Sequence, residues 1–142
     1  MAEPIVLTVE RRIAAPPELV FDAWLDHKSV GRWLFATPDG VMERVELDPR
    51  VGGRFLIVER RGGEPAEHFG EYLEIDRPHR LVFTFAAMRD AGYTKVSVTV
   101  APDGDGSRVT LVHEMDPQWA EYEERTRKGW TKILKGLAET VE

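Results

Sequence analysis

The sequence predicts an α+β domain: a curved antiparallel sheet of about seven strands, two short helices after the first strand, and one long C-terminal helix. Three observations carry this. Apolar residues alternate with period two between residues 41 and 115, most clearly where Val96, Val98 and Val100 are answered by Val109, Leu111 and His113. Clusters of Pro, Gly and Asp break these runs at short intervals, as hairpins require. Beyond Met115 the period becomes helical, with Trp119, Tyr122, Thr126, Trp130, Ile133, Leu134, Leu137 and Val141 on one side. Antiparallel hairpins with helices segregated from them place those helices on one face of the sheet.

PIVLTVERRIAA is rich in β-branched residues and reads as the first strand. APPELVFDAWLD follows as a helix: Pro16 and Pro17 suit its start, Glu18 favours its positive end, and Leu19, Val20, Ala23 and Trp24 have helical spacing. HKSVGRWLF reads as a second short turn, the two being separated because Gly31 interrupts the pattern. GVMERVELDPRVGGRFLIVERRGGE places two strands around the turn DPRVGG, and RRGGEP is the next turn. HFGEYLEIDRPHRLVFTF is strand, turn at Asp76–His79, strand. YTKVSVTVAPDGDGSRVTLVHEM is a hairpin turning at Asp103–Gly106. The final helix takes about 25 residues, with Asp116 as N-cap and Pro117 at its first position. Glu121–Arg125, Glu123–Arg127 and Glu124–Lys128 are i,i+4 pairs that mark its solvent side.

The 142 residues fit one domain spanning 1–142, large enough to bury a core without metal or disulfides. There are no cysteines, which excludes thiolate metal sites and cysteine nucleophiles. No secretory leader pattern or membrane-length apolar run occurs, so the expectation is a cytoplasmic protein without membrane insertion. A net charge of −6 opposes nonspecific nucleic-acid binding. Arg11-Arg12 and Arg60-Arg61 read as solvated strand ends.

DGDGSRVTLVHE mimics a calcium loop, but Arg108 stands where the loop needs glycine, and the flanks are strands. No phosphate loop, nucleophile elbow or paired zinc histidines appear, so no cofactor is expected. His113, in phase with Leu111, should face the concave side of the sheet, as a hydrogen-bonded core histidine or as a ligand contact. Glu59 is in phase with Phe55 and Ile57. It reads as solvated near its strand end, or else as a carboxyl with a raised pKa beside an apolar cavity.

Across nearly its whole length the chain resembles a known family. The stretches that carry the resemblance are AAPPELVFDAWLD, the tryptophan of VGRWLF, DPRVGGRF, GEYLEIDRPHRLVFTF, VTLVHE and GWTKILKGLAE, in family order. They are similar to the small bacterial branch of the family named after the activator of the heat-shock-protein-90 ATPase, within the START-like superfamily. The resemblance implies the helix-grip fold, in which the long helix lies across a concave sheet with a cavity between. Members serve unrelated purposes.

The last helix carries Gly129 and Gly136 on one side, at a cost of about 0.5–1 kcal/mol each. Facing the sheet, they either leave space for a ligand or allow close packing. The first functional expectation is binding of a small apolar or aromatic molecule, with Trp33, Phe55, Phe83, Phe85, Tyr93, His113 and Trp130 lining the cavity. A second is a cofactor-free enzyme of polyketide cyclase type, using His113, Glu59 and Tyr93; no triad or metal supports it, so the chain reads as a binder before an enzyme. A third, implied by the family name, is a chaperone-associated protein. An edge strand leaves monomer or homodimer open.

Overall fold

The computed structural model describes residues 4–37, 39–86 and 94–142. The elements run β1 (Ile5–Ile13), α1 (Pro17–Ala23), α2 (His27–Trp33), β2 (Val41–Leu47), β3 (Arg54–Arg61), β4 (Glu64–Asp76), β5 (Arg80–Phe85), β6 (Thr94–Asp103), β7 (Gly106–Met115), a 3₁₀ segment (Pro117–Tyr122) and α3 (Glu123–Val141). The strands form one antiparallel sheet in the order β1-β7-β6-β5-β4-β3-β2. This is the predicted order of elements and the helix-grip arrangement.

Register follows the apolar alternation. Val96 faces His113, Val98 faces Leu111 and Val100 faces Val109, and all six are buried. A one-residue slip would turn this entire set to solvent. The hairpin closes through Gly104 and Asp105, with Gly104 at φ 63° in the first central position, where a type II′ turn needs glycine. Asp103 and Asp105 both pair with Arg12.

The concavity has a local cause. A Cβ at Gly70 would overlap the Thr84 carbonyl, so only glycine lets β4 approach β5 this closely. Two residues on, the register shifts between Tyr72 and Glu74, which bends and twists the strand. α3 lies in the resulting concave face and buries Trp130, Leu134, Leu137 and Ala138. Each fully buried leucine contributes about 1.5–3 kcal/mol.

Two helix boundaries differ from the sequence reading, and the turn read as RRGGEP narrows to Gly62 and Gly63, because β3 runs to Arg61 and β4 starts at Glu64. The break between the short helices falls at residues 24–26, where Asp26 accepts from the Lys28 N–H and starts α2. Gly31 lies inside α2, where its bare backbone packs on Val45 of β2. The final helix is divided as well. Asp116 does cap its start, accepting from Gln118 N, but residues 117–122 wind as a 3₁₀ segment with a non-helical Trp119 before α3 begins. Of the anticipated pairs Glu123–Arg127 forms, whereas Glu124 approaches Arg127 instead of Lys128.

Candidate functional site

The aromatic side chains divide the space between helix and sheet into a packed end and an open end. At the packed end Trp24 and Trp33 meet edge to face at 4.7 Å, and Phe83 meets Phe55 the same way at 5.5 Å, with Tyr72 beside it. Trp33 Nε1 donates to Ser29 Oγ at 3.2 Å. Trp33, Phe55 and Phe83 thus sit in this cluster. Phe55 also borders a second depression, of about 640 Å³, with Leu56, Phe69 and Thr84.

At the open end lies a groove of about 930 Å³, bounded by α2 and its following loop, β3 to β5, and α3. Phe85 and Trp130 border it, with Phe35, His68 and Ile133. Phe35 stacks on His68 at 4.2 Å and 4°, and on Phe85 at 5.0 Å and 18°. The Trp130 ring meets Phe35 edge-on at 5.7 Å. Tyr93 lies outside the described residues.

His113 is buried directly behind Trp130. The indole N–H of Trp130 donates to His113 Nδ1 at 2.9 Å, and His113 Nε2 lies 2.7 Å from Thr94 Oγ1. An indole nitrogen only donates, so Nδ1 is bare and the proton sits on Nε2. The Thr94 hydroxyl accepts it and donates onward to the Phe85 carbonyl at 3.1 Å. Burial pushes the His113 pKa down to about 4, which keeps the ring neutral. The relay fixes Trp130 and Phe85 at the groove wall.

The mouth is built by β3 and the residues after α2. Glu59 is not solvated; it is buried, 1 % exposed. It accepts from Thr37 N at 2.7 Å, Thr37 Oγ1 at 2.9 Å and Arg61 Nε at 2.6 Å. Burial pushes its carboxyl up, but Arg61 and the two Thr37 donors outweigh that and hold it below the usual glutamate range. With three donors engaged, it is an anchor and not a poised acid. A Cβ at Gly40 would overlap this carboxylate, so glycine there makes room for it. Arg61 is more than a solvated strand end: its Nη2 donates to the Phe35 carbonyl at 2.9 Å.

Phe35 has φ 58°, an outlier for an aromatic residue. The Arg61 contact and the three stacked rings hold it there. Such strain costs of order 1–3 kcal/mol and clusters at functional sites. His68 is buried at the groove floor, and its Nδ1 has no hydrogen-bond partner. Burial and then Arg61 push its pKa down to about 4, against Glu59 and the Ile57 carbonyl. The sequence reading passed over His68, although it shares the strand phase of Gly70 and Tyr72.

The two glycines of α3 have different jobs. A Cβ at Gly129 would meet nothing within 4 Å, because that position faces the groove. A Cβ at Gly136 would lie 3.2 Å from Trp33 Cβ, so this glycine brings α3 against α2.

A family model described as activator of Hsp90 ATPase homolog 1-like protein matches residues 14–142. Among solved structures, protein CV1439 of Chromobacterium violaceum is similar at TM-score 0.86 and 31% identity, covering 98% of this chain and 99% of that one. The AHSA1-like protein from Aeromonas hydrophila is similar at TM-score 0.83 and 26% identity, with 96% and 92% covered. SA2116 of Staphylococcus aureus, a protein of unknown function, shares the fold at TM-score 0.86 and 17% identity, with 98% and 94% covered. No curated protein matches the chain. Among the described residues no helix is long and apolar enough to cross a membrane.

Proposed function

The chain belongs to the activator of Hsp90 ATPase homolog 1-like family, and from that premise we propose that it binds a small apolar or aromatic molecule between the sheet and α3. The observation that carries this reading is the groove of about 930 Å³ floored by Phe35, His68, Phe85 and Trp130. That volume lies in the usual range for small-molecule sites, which are mostly apolar with a few placed polar groups. The His68 imidazole borders the groove as a polar group among these rings. The open space beside Gly129 supports the same reading, since a helix weakened there gains nothing in packing.

The test is a thermal-shift screen with fatty acids, aromatic polyketides, flavonoids and sterols. A compound that binds only the folded chain raises Tm. The expected result is a rise in the native protein that Gly129→Leu abolishes while staying folded. A panel that shifts nothing would count against the reading. A second reading, a cofactor-free enzyme, rests on His68 alone, a neutral imidazole that borders the groove with its Nδ1 buried. Glu59 is occupied, and His113 is closed in by Trp130 and Thr94. A chaperone-associated role rests on the family name, and titration with purified Hsp90 tests it.

A further inference from the structure

The groove's rim has a charge opposite to that of the molecule. Arg32 on α2 and Arg125, Lys132 and Lys135 on α3 border it, against Glu139 as the acid of the rim. Arg61 is there too, but its charge is offset by Glu59. The chain has a net charge of −6, so carboxylates are in surplus to neutralise cations. Elsewhere most described cations are tied to an acid, Arg12, Arg60, Arg77 and Arg80 among them, whereas Arg11, Lys28, Arg54 and Lys128 are not. None of Arg32, Arg125, Lys132 and Lys135 has a described acid within ion-pair distance, although Lys135 and Glu139 stand four residues apart on one helix. Arg125 instead lies over the Tyr122 ring at 5.6 Å.

Resting on the binding function proposed above, we propose that the ligand is an amphipathic carboxylic acid, its apolar or aromatic body on the ring floor and its carboxylate at the α3 rim. Spacing on α3 supports this. Arg125, Gly129, Lys132 and Gly136 follow one another at intervals of three and four, so the cations flank the open position on one side of the helix. Their long apolar stems can lie along the ligand while the charged ends stay wet. His68 borders the ring floor and carries no charge at neutral pH. The negative remainder of the molecule repels anions at long range, so binding depends on this local positive edge and weakens with salt.

The test uses 1-pyrenebutyric acid and its methyl ester, which share a body and differ in charge, titrated by calorimetry at two salt concentrations. The acid should bind at least about tenfold more tightly than the ester, and the gap should narrow as salt rises. The double variant Arg125→Gln/Lys132→Gln changes only exposed positions, so the fold survives. It should remove most of the gap, weakening the acid far more than the ester, which loses only the contact of the two side-chain stems. Equal affinity for acid and ester would overturn the carboxylate proposal and leave the groove as a neutral apolar site. Displacement of the acid by inorganic phosphate at equal concentration would overturn it in favour of a phosphorylated ligand. Failure of both probes, together with every neutral compound of the screen, would overturn the binding function itself.

Discussion

Glu59 and His68 stand on neighbouring strands, and their opposite hydrogen-bonding states define the groove mouth. Glu59 is saturated and charged; His68 lacks a partner at Nδ1 and is neutral. Substituting Arg61→Gln would leave the buried carboxylate with only the Thr37 donors. The expected loss is about 1–2 kcal/mol, the lower part of the range for charged hydrogen bonds because Arg61 is partly exposed. Urea denaturation measures it, and an unchanged midpoint would mean that Phe35 is held without this pair. The histidines set the acid limb of stability. His68 and His113 have pKa values near 4 in the folded chain against an ordinary 6.5. Between those values the unfolded chain binds protons that the folded chain refuses. Their contribution is therefore complete above pH 6.5 and lost as pH falls toward 4, at up to about 1.4 kcal/mol per pH unit for each. His68→Phe keeps the ring stack and gives up the contact with the Ile57 carbonyl, and it should roughly halve the slope between pH 6.5 and 4.5. Denaturation at pH 7, 6 and 5 reads this directly, and an unaltered slope would mean that His68 does not titrate with unfolding.

At the scale of elements, α3 is where helix propensity and packing disagree, and they disagree differently at its two glycines. Gly129→Ala meets open space and should raise stability by about 0.5–1 kcal/mol, a few degrees in Tm. Gly136→Leu drives a side chain against Trp33, whose Cβ sits at the rigid base of its residue. It should cost about 1–3 kcal/mol by overpacking. Calorimetric melts of the two variants decide this, and shifts of the same sign would refute the division of roles. The strands were legible in the sequence because period-two alternation is a local signal and the sheet has an apolar concave face. The start of the last helix was legible from Asp116 and Pro117, but the 3₁₀ segment was not, since its residues have acceptable helix propensity and Trp119 departs from helical geometry in its tertiary setting. Phe85 and Trp130 were legible as groove residues from their phase. Glu59, His68 and Phe35 were not, because their roles come from contacts among α2, β3 and β4 that no single window of sequence contains.

For the molecule as a whole, burial predicts an uneven stability from one side of the sheet to the other. β1, β7 and β6 form a block in which Leu7, Ile13, Val96, Val98, Val109 and Leu111 are fully buried. β2, the opposite edge strand, has no residue in the buried class, and its pairing with β3 is irregular between Met42 and Arg44. The groove mouth hangs from this weaker side, through α2 packed on β2 and through Thr37 held by Glu59 on β3. Local opening should follow that gradient, since regions with few buried apolar contacts open at a fraction of the global free energy. Hydrogen exchange should therefore show β6 and β7 amides protected to nearly the global unfolding free energy and β2 amides exchanging orders of magnitude faster. A ligand in the groove would then slow exchange most at α2 and the residues leading to β2, because those segments gain the contacts they lack. Uniform protection across the sheet would mean that the weak edge opens only with the core, and that entry to the groove must come from movement of α3 instead.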